Sequence, residues 1–154
     1  MSAKNEKYIL FVCTGNTCRS PIAEVIARSI FKKMGLNIAV HSAGVSAWGG
    51  LGASINAIAA MKEEGLNLGS HSTKPISPQL LKDATIVLTM TLAHLKMVKA
   101  FYPNAKAFTL NEYAKNSAED IFDPFGGDLF MYRQTAEEIR RLILLSLEKI
   151  YEEI

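Results

Sequence analysis

The segment on either side of Cys13 constrains the fold more than any other part of this sequence. Residues 8–12, directly before it, form a short apolar run that predicts a buried strand. Ser20 and Pro21 are typical of the cap and first turn of a helix, and apolar residues then recur at helical spacing until Gly35. The sequence therefore predicts a strand, a tight loop and a helix, in that order.

The rest of the chain continues this alternation. Short β-prone runs predict further strands at residues 38–42, 84–90 and 105–110. Apolar residues at helical spacing predict further helices at residues 55–64, 92–101 and 132–154. Segments rich in glycine, proline or small polar residues predict loops at residues 44–54, 69–78 and, for the most part, 111–128.

Alternating strands and helices predict an α/β fold. The chain has 154 residues and is 49% hydrophobic, which is enough for one buried core but not for two. We therefore predict a single domain over residues 1–154, a doubly wound sandwich in which helices flank a central four-stranded parallel sheet.

The composition argues against several kinds of partner. The net charge of +2 is small, so nucleic-acid binding is not expected. No apolar run reaches the roughly 18 residues of a membrane span, and residues 1–7 lack the order of a signal peptide. Cys13 and Cys18 lie too close together to link distant parts of a fold, and the cytosol keeps thiols reduced. We expect a cytoplasmic monomer that needs neither a metal nor a cofactor.

The loop after the first predicted strand has the composition of an anion-binding loop. In parallel sheets ligands bind beyond the carboxyl ends of the strands, where loop N–H groups and a helix N-terminus attract an anion. Gly15 and Asn16 tolerate the positive φ that such a loop needs, and Arg19 offers a planar fork for two phosphate oxygens. The candidate phosphate-binding residues are Thr14, Gly15, Asn16, Thr17, Cys18, Arg19 and Ser20.

Cys13 lies at the base of this predicted loop, where a helix N-terminus and an arginine favour the thiolate. A thiolate beneath a bound phosphate is placed for in-line attack on phosphorus, and Ser20 could donate a hydrogen bond to the departing sulfur. Asp123, held away from helical geometry by Pro124, is the candidate acid for the leaving group.

Two simpler interpretations of these residues stay open. Cys13 could be a buried strand residue with Arg19 on the surface, and Asp123 could belong to an ordinary turn.

These motifs resemble those of the low-molecular-weight protein tyrosine phosphatase family along essentially the whole chain. The resemblance is carried by residues 12–21 with 23–24, by residues 42–44 and by residues 123–124. It implies that Cys13 is the nucleophile, that Arg19 binds the transition state, and that Asp123 is the general acid and then the base for water.

The same resemblance implies roles for residues around the loop. Asn16, Ser20, Ser42 and His71 would hold the loop in shape through hydrogen bonds. Trp48 would line the rim of the pocket. Alternatively, His71 is an ordinary loop histidine and Trp48 a lone, partly buried aromatic residue.

Two details resemble the bacterial protein arginine phosphatase branch of the family. Phosphotyrosine-directed members commonly have an aliphatic residue at the position of Thr17, and tyrosines where this chain has Phe125-Gly126-Gly127. Phosphoarginine carries a polar, planar guanidinium where phosphotyrosine carries a ring. A threonine hydroxyl could bond or orient the attacking water, whereas an aliphatic side chain could only pack. We therefore expect phosphorylated proteins as substrates, with phosphoarginine favoured over phosphotyrosine, and we include Phe125 among the substrate-binding candidates.

Other functions share parts of this pattern. Arsenate reductase uses a similar cysteine and arginine loop but relays a disulfide through further cysteines, which this chain lacks. A phosphocarrier would have no use for Asp123 as an acid, and a phosphate-binding module without activity would need neither Cys13 nor Asp123.

Cys18 either forms a reversible, protective disulfide with Cys13 on oxidation or simply packs behind the loop.

Overall fold

The computed structural model describes residues 6–154. Its strands are β1 (Tyr8–Cys13), β2 (Ala39–Gly44), β3 (Ile86–Thr89) and β4 (Ala107–Thr109). Its helices are α1 (Arg19–Met34), α2 (Ile55–Glu63), α3 (Pro78–Asp83), α4 (Leu92–Phe101), α5 (Leu110–Lys115) and α6 (Leu129–Glu153). Within residues 6–154, no helix has both the length and the apolar character needed to cross a bilayer.

The four strands form one parallel sheet in the order β2-β1-β3-β4. The chain therefore winds outward from β1 in both directions, and the predicted doubly wound α/β fold is confirmed. Cys13 pairs with Gly44 on one side, and Val12 pairs with Thr89 on the other. The single domain over residues 1–154 stays a prediction, and residues 1–5 lie outside the described part of the chain.

The alternation of side chains along β1 divides the core into two layers. Every residue of β1 is buried, and successive side chains point to opposite faces of the sheet. Ile9, Phe11 and Cys13 pack into the layer that contains α1 and α6. Leu10 and Val12 pack into the opposite layer with α3 and α4. Complete burial of a side chain such as Phe11 contributes about 1.5–3 kcal/mol, so β1 is both the centre of the core and the base of the loop that follows Cys13.

Hydrogen-bonded caps place several helix boundaries differently from the sequence-based expectation. Residues 111–128 are mostly loop, as predicted, but their first five residues belong to α5. Thr109 ends β4 and accepts a hydrogen bond from the Glu112 N–H (3.0 Å), which begins this helix. Ser77 caps α3, a helix that the sequence analysis did not predict. Asp128 accepts from the Met131 N–H (3.0 Å), so α6 begins at residue 129 rather than 132.

Gly44 ends β2 where that strand passes closest to the loop after β1. A Cβ at this position would lie 2.5 Å from the Thr14 carbonyl oxygen and 2.9 Å from the Asn16 nitrogen. Both atoms belong to the backbone and cannot rotate away. Only glycine lets β2 approach the loop this closely.

We expect Gly44→Ala to lower the free energy of unfolding by about 1–3 kcal/mol, because the methyl group must displace the loop backbone. Urea unfolding followed by circular dichroism measures this. Gly52→Ala is the matched control, since its Cβ would meet nothing within 4 Å and its φ is not positive. Equal unfolding midpoints for the two variants would contradict the close approach.

Candidate active site

A cavity opens at the carboxyl end of β1, where the loop of residues 14–18 leads into α1. Its volume is about 260 Å³. Asp123 and Phe125, from the segment of residues 116–128, also line it. The structure brings together most of the predicted site residues there, and the lining residues are Cys13, Thr14, Gly15, Thr17, Cys18, Arg19, Asp123 and Phe125.

Cys13 is the last residue of β1, and its side chain is almost completely buried. Its Sγ lies 2.9 Å from the Oγ of Ser20, in the first turn of α1. Asn16 in turn donates from Nδ2 to the same Ser20 oxygen at 2.9 Å. That oxygen accepts from Asn16, so the Ser20 hydroxyl can donate its proton to the sulfur at 2.9 Å, with the Ala43 carbonyl oxygen at 3.5 Å as the other acceptor.

Asn16 is the centre of the hydrogen bonds that shape the loop. Nδ2 also donates to Ser42 Oγ (2.9 Å), and Oδ1 accepts from the Lys74 N–H (3.0 Å). The Asn16 carbonyl oxygen lies 2.8 Å from Nε2 of His71. The residue is buried with a φ of 60°, a left-handed conformation that few residues adopt without strain.

Asn16, and not Gly15, has the positive φ of this loop. Both residues were predicted to tolerate such a conformation, and only Asn16 adopts it. A Cβ on Gly15 would meet Thr17 Oγ1 at 3.8 Å and nothing closer. One left-handed residue is sufficient to turn the loop.

Arg19 is 4% exposed and faces the cavity. Its Nη1 donates to the Ile121 carbonyl oxygen at 2.9 Å, and its Nη2 lies 3.5 Å from Oδ2 of Asp123. Asp123 is half exposed, and its Oδ1 accepts from the Phe125 N–H at 3.1 Å. Asp123 therefore belongs to a turn and also faces the guanidinium. The interpretation of Asp123 as a turn residue is thus compatible with its interpretation as the acid.

The remaining predicted residues lie around this centre. Thr17 lines the cavity, and its carbonyl oxygen accepts from the Ser54 N–H at 2.9 Å. Phe125 lines the cavity although it is 73% exposed. Trp48 is 79% exposed and is not among the residues that line the cavity. It is therefore not a partly buried aromatic residue, which was the alternative interpretation. Its place at the rim of the pocket stays a prediction.

The Cys18 thiol points into a cluster of hydroxyl groups behind the loop. Its Sγ lies 3.2 Å from the Tyr132 hydroxyl and 3.4 Å from Ser54 Oγ. Burial, followed by the hydrogen bond with Cys18, raises the pKa of Tyr132 to about 12. The phenol thus stays protonated. Both cysteines are free thiols.

Three residues of the site were not identified from the sequence. Tyr132 is one, and Glu24 is another, since its carboxylate accepts a hydrogen bond from Ser42 Oγ and pairs with Arg28. His94 is the third, with Nε2 2.8 Å from Oγ1 of Thr14. Tyr132 and His94 lie on helices far along the chain from the residues that they contact, and Glu24 was named only as part of a motif. Short-range sequence patterns carry no signal for such contacts.

The arrangement places a thiol at the base of an anion-sized cavity, with a buried guanidinium and a carboxyl group beside it. A guanidinium and loop N–H groups can hold a phosphate, and a sulfur beneath that phosphate can attack it. Within the described residues, no group of three His, Cys, Asp or Glu side chains is placed to hold a metal ion. This geometry is typical of the class of enzymes that transfer phosphate through a cysteine.

Comparisons with known proteins give the same class. Residues 8–153 match the family described as low molecular weight phosphotyrosine protein phosphatase. The protein-arginine-phosphatase of Bacillus subtilis is 42% identical over 137 residues, covering 88% of this chain and 91% of the relative. PtpB of Staphylococcus aureus, a low molecular weight protein-tyrosine-phosphatase, is 39% identical over 142 residues, covering 88% of this chain and 94% of the relative.

A solved structure of YwlE arginine phosphatase, a cysteine-to-serine mutant with a phosphorylated active-site serine, is also similar. It is 38% identical, with a TM-score of 0.91, and the match covers 94% of this chain and 96% of that one. The chain belongs to the low molecular weight phosphotyrosine protein phosphatase family. The resemblance inferred from the motifs is therefore confirmed.

We expect Asn16→Ala to destabilise the fold more than Asn16→Gly, by roughly 1 kcal/mol, because only glycine adopts the positive φ without strain. Both variants lose the same side-chain hydrogen bonds, so their common loss of stability measures those bonds. Urea unfolding of both variants separates the two contributions. A more stable alanine variant would show that the left-handed conformation of Asn16 is not maintained in solution.

Proposed function

We propose that this chain is a metal-independent protein phosphatase that hydrolyses phosphorylated side chains through a phosphocysteine intermediate. The observation that carries the proposal is the cavity shared by Cys13, Arg19 and Asp123. Membership of the family supports the same reaction.

In the first step, the Cys13 thiolate attacks the phosphorus of a bound phosphoryl group. The S–P bond forms as the bond from phosphorus to the substrate oxygen or nitrogen breaks. Arg19 and the loop N–H groups balance the charge of the equatorial oxygens. Asp123 gives its proton to the leaving atom, so that tyrosine departs as a neutral phenol and arginine as its guanidinium cation.

In the second step, water hydrolyses the phosphocysteine. The Asp123 carboxylate accepts a proton from the water as the water oxygen bonds to phosphorus. The S–P bond breaks, and the electron pair returns to Cys13. Ser20 Oγ, at 2.9 Å from the sulfur, stabilises the departing thiolate by a hydrogen bond. The products are inorganic phosphate and the free enzyme.

We propose phosphoarginine as the favoured substrate, with phosphotyrosine as the second candidate. Thr17 lines the cavity, where its hydroxyl could bond to the guanidinium of phosphoarginine. Relatives named protein-arginine-phosphatase are 42% and 40% identical to this chain. PtpB, named a protein-tyrosine-phosphatase, is 39% identical, which keeps phosphotyrosine as an alternative.

The other candidate functions have less support. A relay of the arsenate reductase type needs a further cysteine, and Cys13 and Cys18 are the only two in the sequence. In a phosphocarrier or a module that only binds phosphate, an acid at Asp123 would have no role. We propose a monomer acting in the bacterial cytoplasm, a compartment in which thiols such as these stay reduced.

Cys13→Ser should reduce release of nitrophenol from nitrophenyl phosphate to background, because the nucleophile is lost. Asp123→Asn should slow turnover by about 10²–10⁴-fold for poor leaving groups and less for nitrophenol, which needs little protonation. Steady-state rates on aryl phosphates of graded leaving-group pKa test both effects. An unchanged rate for Asp123→Asn on every ester would remove Asp123 from the mechanism.

Thr17→Ile should lower the ratio of kcat/KM for a phosphoarginine peptide to that for a phosphotyrosine peptide. The reason is that the side chain keeps its branched shape but loses its hydroxyl. Thr17→Ser, which retains the hydroxyl, is the matched control and should keep a ratio close to that of the parent. If Thr17→Ile leaves the ratio unchanged, the hydroxyl does not select the substrate.

A further inference from the structure

His94 lies beside the cavity but takes no part in the reaction described above. It is 4% exposed and sits in the first turn of α4, where its backbone N–H donates to the Thr91 hydroxyl at 3.2 Å. Its Nε2 lies 2.8 Å from Oγ1 of Thr14, a residue that lines the cavity. The imidazole therefore links the N-terminus of α4 to the first residue of the phosphate-binding loop.

The surroundings of His94 keep the imidazole neutral. Burial, followed by the charge of Arg19, lowers its pKa to about 4, and Asp120 and Asp123 oppose this shift only in part. Its position at a helix N-terminus acts in the same direction as Arg19, because the helix dipole is positive there. The ring thus carries one proton at neutral pH, on one of its two nitrogens.

The hydrogen bonds indicate which nitrogen carries that proton. Nδ1 is buried and has no hydrogen-bond partner among residues 6–154. A buried N–H without an acceptor is costly and rare. The proton therefore lies on Nε2, which donates to Thr14 Oγ1. Because that oxygen then accepts from His94, the Thr14 hydroxyl proton is free to be donated elsewhere.

We propose that His94 is a positioning residue that turns the Thr14 hydroxyl into a donor for the bound phosphate. The inference rests on the proposed function only in taking phosphate as the ligand of the cavity. The phosphate oxygens would gain one more donor, in addition to the loop N–H groups and Arg19. With the opposite tautomer, the Thr14 hydroxyl would donate to His94 and be lost to the ligand.

Binding of inorganic phosphate to the full chain, measured by calorimetry, tests this inference. A hydrogen bond to a charged group contributes about 1.5–3 kcal/mol, so Thr14→Val, which removes the donor, should weaken binding by about 10- to 150-fold. His94→Leu leaves the Thr14 hydroxyl in place but without its fixed orientation, so it should weaken binding by a smaller factor of about 5- to 10-fold. The double variant should bind phosphate as weakly as Thr14→Val alone, since His94 acts on the phosphate only through the Thr14 hydroxyl. His94→Gln, whose amide N–H can replace Nε2–H, should bind within about threefold of the parent.

Three results would overturn the inference. They are additive losses in the double variant, no recovery in a folded His94→Gln, and NMR signals of the Nδ1–H tautomer in the parent. If His94→Leu does not fold, His94→Asn replaces it, because its shorter side chain cannot reach Thr14. His41→Gln, a histidine change on β2, is the control and should bind phosphate as the parent does.

These measurements remain informative if the proposed function fails. A parent that binds phosphate but hydrolyses no phosphorylated substrate would contradict the phosphatase assignment and leave the role of His94 to be decided by the binding data. A parent that binds no phosphate would overturn both.

Discussion

The hydrogen bonds of Asn16 are the interaction on which the rest of the site depends. A left-handed conformation costs a residue other than glycine roughly 1–2 kcal/mol. Asn16 offsets this through contacts with Ser20, Ser42, His71 and the backbone of Lys74, each contributing about 0.5–1.5 kcal/mol. The same contacts fix Ser20 against the Cys13 sulfur. One buried amide thereby sets both the curvature of the loop and the surroundings of the thiol.

The sheet places this loop where an α/β fold can accept a ligand. β1 lies between β2 and β3. From the carboxyl end of β1 the chain first continues to β2 on one side, and it later forms β3 and β4 on the other side. The two sets of connections diverge at that point and leave a crevice between them. Cys13 closes the inner end of the crevice. The outer side is supplied by the segment that carries Asp123, from the opposite end of the sequence.

The sequence predicted the fold class and the loop but not the full set of contacts around them. The strands were predictable because buried parallel strands are continuous apolar runs, and the loop because Cys13, Arg19 and the Ser-Pro helix start share one short segment. α5 was missed because its apolar stripe is too short to show a period, although the Thr109 cap was present. The pairing of Thr14 with His94 depends on how β3 and β1 are aligned, which no local pattern contains.

Ile121 links Arg19 to the segment that carries Asp123. Ile121 is 1% exposed, its N–H donates to the Met90 carbonyl oxygen at 3.0 Å, and its own carbonyl oxygen accepts from Arg19. The guanidinium is thus held by a buried residue that lies two positions before Asp123 and is hydrogen-bonded to Met90, the residue that follows β3. In the folded chain, Arg19 and Asp123 therefore already face each other at 3.5 Å, with Ile121 holding the guanidinium and leading into the segment that carries the carboxyl group.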